Sequence, residues 1–389
     1  MEDKNMGNSK PAIVVVTYNR PNSLKRLLDS LAAANYEDND VPLIISIDKA
    51  KDDKGVLKIA EDFKWHHGSK RLIKYESNLG LRKHILNCGD LSSEYKAVIV
   101  LEDDLVVSPE FYKYSCQAAD YYKDNEKIAQ ISLFNYEINE YAHNKPFQPL
   151  KDDSDVYYVG TPSSWGELWT EKQWSKFRSW YDNKEYENVD YSKILPDVIL
   201  RWPETSWKKY YAMYMAEKQL FAVYPRAALS TNMSDVGTHY KEQNNFQQVN
   251  LMYEFNRNFI FKPLEDSKCK YDSFMESLNI KSFIKEQDIA VDYFGCKNNF
   301  VKNRYLLSTE QLPYKIINSW ALRMRPYELN IIYNIEGNGI FLYDTEVEDK
   351  IKDDCIVNIN KIRYENPSMC KKNVFALLKY SVKNKIKNL

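Results

Sequence analysis

Apolar and polar positions alternate in blocks along the N-terminal part of the chain. Residues 12–17 form a short apolar run rich in β-branched side chains, which predicts a strand that is buried on both faces. A polar turn follows at 18–22, and residues 23–34 are apolar at helical spacing, with Ser23 as the predicted cap. The apolar face of this helix consists of Leu24, Leu27, Leu28 and Leu31.

The same alternation of strand and helix continues as far as residue 133. Further strands are predicted at 41–47, 71–75, 97–101 and 128–133, and further helices at 54–64, 81–87 and 109–122. This order predicts an α/β fold, in which a mostly parallel sheet carries helices on both faces. Ligands of such sheets lie beyond the carboxyl ends of the strands, so polar residues at those ends mark the expected crevice. Three strands end in this way, at Thr17-Tyr18-Asn19-Arg20, at Asp48, and at Glu102-Asp103-Asp104.

The composition changes twice in the rest of the chain. Residues 150–260 are dense in Trp and Tyr, whereas the chain beyond 265 has short apolar runs, such as 340–343, that predict strands. We therefore predict a first domain at 1–260 and a C-terminal α+β extension at 265–389.

The C-terminal segment 371–389 carries six lysines and no acidic residue. Its apolar positions share one helical face and are Val374, Leu378, Val382, Ile386 and Leu389. This pattern predicts peripheral docking on an anionic membrane surface, at about 1 kcal/mol for each well-placed lysine. A solvated terminal helix that packs on its own domain explains the pattern equally well.

Composition and charge limit the partners and the location. The chain of 389 residues has a formal net charge of −1, so no global field points to nucleic acid. Its six cysteines form no CxxC pair and no zinc-type cluster with histidine, which fits a reducing compartment. Residues 1–10 are polar, and no apolar run approaches the roughly 20 residues of a membrane span. We therefore expect a cytoplasmic protein.

The triplet Glu102-Asp103-Asp104 is the strongest local signal of chemistry. Clustered carboxylates at the end of a strand repel one another unless a cation lies among them. Mg²⁺ and Mn²⁺ take oxygen ligands and commonly keep substrate phosphates in their coordination shell. The triplet therefore predicts a divalent metal site, and the alternative is a solvated acidic turn in front of the helix at 109–122.

Three segments, residues 12–31, 43–48 and 97–114, resemble the donor-binding half of GT-A glycosyltransferases, which have a Rossmann-like α/β fold. The stretch 98–112, Val-Ile-Val-Leu-Glu-Asp-Asp-Leu-Val-Val-Ser-Pro-Glu-Phe-Tyr, is similar to the metal-binding segment of the N-acetylglucosaminyltransferase I family. The opening Val-Val-Thr-Tyr-Asn-Arg-Pro at 15–21 is typical of family 2 transferases. Residues 164–174 resemble the aromatic acceptor-side segment of bacterial relatives, and Ser206-Trp207 and 224–239 complete the pattern.

The resemblance extends over residues 10–245 and implies two halves with different binding functions. Residues 10–135 are the expected nucleotide-sugar binding half, and residues 150–245 are the expected acceptor-side half.

The resemblance also implies roles for single residues at the donor side. Asp104 is expected to hold Mn²⁺ or Mg²⁺ at the donor diphosphate, with Asp103 and Glu102 at the ribose and the donor sugar. Asp48 is expected to accept a hydrogen bond from the nucleoside. His239 is expected to reach the metal or the diphosphate, or else to bond only within its own loop. The remaining residues expected to line the nucleotide pocket or face the donor are Thr17, Tyr18, Asn19, Arg20 and Arg82.

The acceptor side is less defined by the resemblance. Trp165 and Trp169 either form a platform for a sugar or are core residues, because aromatic residues four apart lie on one helical face. We expect one of them in the core and the other in the pocket, and Trp165 is included among the candidate binding residues. An inverting transfer needs a base, which the resembled family takes from a Trp-Asp-Asp-Trp segment. This chain reads Trp207-Lys208-Lys209-Tyr210 there. The candidate bases are therefore Glu204 first, then Glu167 and Asp235.

The implied function is metal-dependent, inverting transfer from a nucleotide-diphosphate sugar, with a UDP-sugar favoured. The implied acceptor is a saccharide or a lipid-linked saccharide of bacterial surface polysaccharide synthesis. A sugar nucleotidyltransferase is one alternative, but it needs a glycine-rich phosphate loop that residues 17–23 lack. A non-catalytic carbohydrate-binding protein with a decayed GT-A fold is the other; the missing Asp pair leaves it open, whereas the intact Glu102-Asp103-Asp104 argues against it.

Overall fold

The chain folds into two compact units. The first comprises Met1–Glu137 with Pro149–Asn279, and the second comprises Ile138–Gln148 with Ile280–Leu389. The computed structural model describes residues 9–36, 40–236, 247–254, 258–297, 303–351, 354–367, 370, 372, 374, 375 and 379. The domain boundaries at 260 and 265 stay a prediction, and almost all of the basic segment 371–389 lies outside the described residues.

Strands and helices alternate through the first part of the chain and follow one another less regularly after it. The strands are β1 (Ala12–Thr17), β2 (Leu43–Ile47), β3 (Lys70–Lys74), β4 (Ala97–Glu102), β5 (Leu105–Val107), β6 (Ile128–Ser132), β7 (Ile138–Asn139), β8 (Lys145–Pro146), β9 (Val156–Val159), β10 (Glu167–Thr170), β11 (Phe221–Pro225), β12 (Ser230–Asn232), β13 (Lys270–Tyr271), β14 (Ile289–Val291), β15 (Tyr305–Ser308), β16 (Tyr314–Trp320) and β17 (Ile340–Glu348). The α-helices are α1 (Pro21–Ala32), α2 (Lys54–Asp62), α3 (Leu81–Asp90), α4 (Ser92–Tyr95), α5 (Phe111–Tyr122), α6 (Glu171–Asp182), α7 (Asp197–Leu200), α8 (Trp207–Lys218), α9 (Tyr327–Ile332) and α10 (Cys355–Glu365). Short 3-10 helices are Glu185–Asn188, Tyr191–Lys193 and Ile280–Phe283.

One large sheet organises the first unit. Among the described residues it has nine strands in the order β13-β9-β11-β6-β10-β4-β1-β2-β3. The strands β1 to β4 pair in parallel, and β10 is antiparallel to both β4 and β6, so β6 and β11 run in the same direction as β4. The predicted α/β fold with a mostly parallel sheet is therefore confirmed. The ends of β4, β1 and β2 lie next to one another in this order.

Helices cover both faces of this sheet, as predicted. On one face α1, α2 and α5 contribute to a buried cluster with Ile13 and Val15 of β1, and the four predicted leucines of α1 are all in it. On the other face α3, α6 and α8 pack against one another. The predicted cap of α1 is wrong, because the helix begins at Pro21, whose missing N–H costs nothing in a first turn. The hydroxyl of Ser23 instead donates to Asp235.

The second unit has its own small sheet, in the order β14-β15-β17-β16, together with α9 and α10. The predicted C-terminal α+β extension is thereby confirmed, and the apolar run at 340–343 lies in β17. Among the described residues of the whole chain, no helix is long and apolar enough to cross a membrane.

Glu328 of α9 is a buried acid in the second unit, and it makes stability depend on pH. Glu328 is 4% exposed, and burial raises the pKa of its carboxyl group to about 7. Because the folded pKa exceeds the unfolded one, stability from this group is complete below the unfolded pKa and declines until the pH passes about 7. We expect Glu328→Gln to raise the free energy of unfolding by about 1–3 kcal/mol at alkaline pH and to leave it unchanged at a pH below the unfolded pKa of a glutamate. Urea denaturation at the two pH values measures this, with the exposed Glu336→Gln as control. An equal effect of Glu328→Gln at both pH values would contradict it.

Candidate active site

The end of β1 and the end of β4 lie side by side in the first unit. The two strands pair in parallel, with Val16 opposite Glu102. The hydroxyl of Thr17 donates to Asp103 Oδ2 at 2.7 Å and joins the two strand ends directly. Of the three strand ends that the sequence places in one crevice, these two therefore meet through their side chains.

Arg20 connects both aspartates of the triplet. Its Nη1 donates to Asp104 Oδ2 at 2.9 Å, and its Nη2 forms an ion pair with Asp103 Oδ1. Asp103 is 2% exposed, and burial raises its pKa to about 6, although Arg20 and the Thr17 hydroxyl act in the opposite direction. The guanidinium therefore compensates carboxylate charge that the fold removes from water.

Glu102 and Glu167 add two more carboxyl groups to the same region. Burial, together with the charge of Asp104, raises the pKa of Glu102 above its ordinary value. Glu167 is 1% exposed, and neither of its carboxylate oxygens has a hydrogen-bond partner among the described residues. Burial and the neighbouring Glu102 raise the pKa of Glu167 well above its usual range, and the amide of Gly166 opposes this rise without a hydrogen bond of normal geometry. Burial and the charge of Glu102 thus both favour the protonated form of Glu167.

Lys208 supplies the second cation of this region. It lies in the first turn of α8, is 8% exposed, and opposes the rise in pKa of both Glu102 and Glu167. Its ammonium is 5.1 Å from the ring centroids of both Trp165 and Trp202. In the sequence, Lys208 stands out only because the resembled family has an acid at this position. The one feature of the sequence that could have pointed to it is a lysine directly after Trp207.

Trp165 and Trp169 differ in burial, and neither lies on a helix. The helical face on which the core alternative rests is wrong, because Glu167–Thr170 form strand β10. Trp169 is fully buried, with its ring centroid 4.5 Å from that of Trp174. Trp165 precedes the strand, is half-buried, and is the member of the pair beside Lys208.

Asp48 follows β2 and uses both carboxylate oxygens within the protein. Its Oδ1 accepts from the backbone amides of Lys49 and Leu79, both at 2.8 Å. Its Oδ2 accepts from the amide of Gly80 at 3.1 Å and from the side chain of Asn78 at 3.2 Å. Gly80 has a φ of +74°, a left-handed value that glycine adopts without strain. The carboxylate thus holds the turn that begins α3, and its contact with a nucleoside stays a prediction.

Replacing Asp48 by asparagine is expected to lower the free energy of unfolding by about 2 kcal/mol. One acceptor oxygen becomes an N–H donor that faces other donors, and buried donors without acceptors carry a penalty of about this size. Urea denaturation followed by circular dichroism measures the loss. Asp62→Asn is the matched control, since Asp62 pairs only with an exposed Lys58 on the surface of α2. Equal losses in the two variants would contradict the role of Asp48 in the turn.

Glu204 and Arg82 form a second group, at the start of α8. The carboxylate of Glu204 accepts from Lys209 Nζ at 2.6 Å and from the Tyr210 hydroxyl. These two hydrogen bonds lower the pKa of Glu204, whose side chain is 70% exposed, so it is ionised at neutral pH. The guanidinium carbon of Arg82 lies 5.2 Å from the ring centroid of Tyr210, and its charge also lowers the pKa of Glu204.

Asp235 lies on the loop after β12 and is tied to α1. Its Oδ2 accepts from the Ser23 hydroxyl at 2.7 Å, and it pairs with Arg26 through both oxygens. Burial opposes ionisation, but the hydrogen bonds from Arg26 and Ser23 lower the pKa of Asp235 overall. The amide of Met233 donates to the carbonyl of Asp104 at 2.9 Å, so this loop runs beside the triplet.

Tyr18, Asn19 and His239 are the remaining residues that the sequence predicts for the site. Tyr18 and Asn19 follow β1 and are exposed, Tyr18 by 40%, between the buried Thr17 and the half-buried Arg20. His239, the second predicted metal ligand, lies outside the described residues.

A family comparison decides what kind of domain carries this geometry. The sequence model of glycosyl transferase family 2 matches residues 12–187, which include β1 to β10 and α1 to α6. Residues 12–187 are a glycosyl transferase family 2 domain. The predicted GT-A fold is confirmed for this glycosyl transferase domain, whereas its subtype within the N-acetylglucosaminyltransferase I family stays a prediction. No curated protein sequence matches the chain.

Some solved structures are distantly similar to part of this chain. The mannosyltransferase PcManGT from Pyrobaculum calidifontis, in complex with GDP-Man and Mn²⁺, is 11% identical and has a TM-score of 0.39, over 60% of this chain and 59% of that one. TarS 1–349 from S. aureus, in complex with UDP-GlcNAc, is 13% identical with a TM-score of 0.37, over 59% and 60% of the two chains. GalNAc-T7 with UDP, GalNAc and Mn²⁺ is 12% identical with a TM-score of 0.37, over 58% and 43%. The chain thus spans about three fifths of the first two proteins, and likenesses this distant assign no residue of the glycosyl transferase domain a role.

Proposed function

We propose that this protein is a glycosyltransferase that uses a nucleotide-diphosphate sugar, with a UDP-sugar favoured, and a saccharide or lipid-linked saccharide acceptor. The proposed transfer is metal-dependent, inverts the anomeric centre, and belongs to bacterial surface polysaccharide synthesis in the cytoplasm. The observation that carries it is the Arg20 fork on Asp103 and Asp104, at the joined ends of β1 and β4, inside a glycosyl transferase family 2 domain. Nucleotide diphosphates bind at strand ends of this kind in α/β sheets.

The residues of this site fit a divalent cation. Asp104 Oδ1 is buried without a hydrogen-bond partner among the described residues, while Oδ2 is held by Arg20. Mg²⁺ that binds with substrate phosphates takes only one or two carboxylates from the protein. No three His, Cys, Asp or Glu side chains of the described chain form a cluster suited to a metal, so phosphate and water would complete the shell. When bound at Asp104, the cation would neutralise charge that develops on the leaving diphosphate.

The chain itself supplies the other parts of the reaction. The acceptor hydroxyl attacks the anomeric carbon, the bond to the diphosphate oxygen breaks, and the hydroxyl proton passes to a carboxylate. Glu204 suits this last role, because it is ionised and largely exposed. Glu167 is 1% exposed, with its pKa raised well above its usual range, and the side chain of Asp235 is only 17% exposed against α1, so an acceptor reaches these two less readily than Glu204.

Nucleotide binding tests this function directly. The dissociation constants of UDP-, GDP-, CMP- and dTDP-sugars are measured by calorimetry with Mn²⁺ and again with EDTA. We expect one nucleotide class, with UDP favoured, to bind with Mn²⁺ and to lose affinity with EDTA. If no nucleotide binds under either condition, the transferase proposal fails and a non-catalytic carbohydrate-binding protein takes its place.

A further inference from the structure

Arg82 presents unused hydrogen-bond donors beside the candidate base. It is the second residue of α3, is half-buried, and its guanidinium makes no hydrogen bond or ion pair to any described residue. An arginine carries five N–H donors in a planar fork that matches phosphate and carboxylate. A cation held with its donors unused, in the domain that carries the proposed function, calls for a ligand.

One ring contact and the turn before it limit where this guanidinium can lie. Its carbon lies 5.2 Å from the ring centroid of Tyr210, a cation–π distance. Its backbone follows directly on the turn that Asp48 holds through the amides of Leu79 and Gly80. A positioned arginine loses less conformational entropy when it binds a ligand than a free one does.

The surroundings of Arg82 favour an anion. Glu204 is the nearby carboxylate, and it is already engaged by Lys209 and the Tyr210 hydroxyl. Two cations, Arg82 and Lys209, therefore face one carboxylate. This balance differs from the triplet region, where four carboxyl groups, Glu102, Asp103, Asp104 and Glu167, face Arg20 and Lys208.

The same surroundings favour a sugar next to the anion. Tyr186 is half-buried, and its ring centroid lies 5.0 Å from that of Tyr210. Tyr210 thus contacts both the guanidinium of Arg82 and the ring of Tyr186. A tyrosine offers an apolar face and a hydroxyl, which suit the C–H face and the hydroxyls of a sugar.

We propose that Arg82 binds a phosphate or carboxylate on the acceptor, so that the enzyme selects acidic acceptors over neutral ones. This inference rests on the proposed glycosyltransferase function and names the class of substrate at its acceptor side. It moves Arg82 from the donor, where the resemblance places it, to the acceptor, beside the carboxylate that suits the role of base.

Affinities for small probes test the proposal. The site is first loaded with UDP and Mg²⁺, which is diamagnetic, and NMR titrations then give dissociation constants for methyl glucuronide, glucose 6-phosphate, geranyl diphosphate and the neutral methyl glucoside. We expect at least one anionic probe to bind about tenfold tighter than methyl glucoside, as one or two charge-assisted hydrogen bonds provide. Preference for the two acidic sugars indicates a saccharide that carries the charge, and preference for geranyl diphosphate alone indicates a lipid diphosphate.

Variants separate recognition by Arg82 from a general effect of charge. Arg82→Gln is expected to abolish the preference for the anionic probes, and Arg82→Lys is expected to keep part of it. The control is Arg178→Gln, because Arg178 also lies over a tyrosine ring but is ion-paired with Asp90 and Asp182. This control should keep the full preference.

Three results would overturn the proposal. They are equal affinities of the wild type for neutral and anionic probes, a preference that survives in Arg82→Gln, and a loss of UDP affinity in Arg82→Gln, which would return Arg82 to the donor. Failure of UDP to bind the wild type in the loading step is a separate outcome, because it refutes the glycosyltransferase function itself.

Discussion

Asp104→Asn is expected to lower kcat/KM for sugar transfer by about a thousandfold, the loss typical of removing one group that stabilises developing charge. The substitution preserves the volume of the side chain and one acceptor for Arg20, so the fold should persist. What it removes is the negative charge and the buried oxygen, Oδ1, that has no partner among the described residues. Nucleotide affinity should become independent of Mn²⁺, because a neutral amide is a poor ligand for a hard divalent cation.

The measurement pairs steady-state transfer or donor hydrolysis with calorimetry of UDP binding, each with Mn²⁺ and with EDTA. Asp62→Asn serves as control, because it makes the same chemical change on the exposed surface of α2. Mn²⁺-dependent binding that persists in Asp104→Asn would remove Asp104 from the metal site, even if turnover falls.

The fold was predictable where one segment carries its own signal. The leucines of α1 recur at helical spacing, and the runs of β1 and β4 are short and β-branched, which is typical of buried strands; the structure has these elements within a few residues. Strand β10 was not predictable in this way. Its four residues, Glu167–Thr170, are too short for a period, and two tryptophans four apart suggest a helix as readily as a strand.

The site was predictable as a set of strand ends but not as a set of contacts. The hydrogen bond from Thr17 to Asp103 joins residues 86 positions apart, and no local pattern encodes such a pair. Asp48 shows the same limit, because its sequence position suggests a ligand contact while its hydrogen bonds go to the turn before α3. The place of Lys208 in the site is hard to predict from the sequence, because its contacts with Trp165 and Trp202 form only in the folded chain.

Arg20→Met is expected to destabilise the first unit by about 3 kcal/mol, the cost of leaving buried carboxylates without their cation. Arg20 is 25% exposed and its partners Asp103 and Asp104 are 2% and 15% exposed, so water can replace the guanidinium only in part. Arg20→Lys should recover only part of the loss, because one ammonium cannot reproduce a fork that reaches two carboxylates at once. Urea denaturation of the two variants and the wild type gives these differences.

The matched control for Arg20 is Arg71→Met, which removes an arginine from an ion pair with Glu94 in which both side chains are half exposed. Exposed pairs of this kind contribute little, so the control should lie close to the wild type. If Arg20→Met is no more destabilised than Arg71→Met, the ion pairs of Arg20 do not hold the two strand ends together. If Arg20→Lys matches the wild type, the position needs a positive charge but not the fork. The predicted order of stability is therefore wild type, then Arg20→Lys, then Arg20→Met. That order follows from the geometry of one side chain that reaches both aspartates at the ends of β1 and β4.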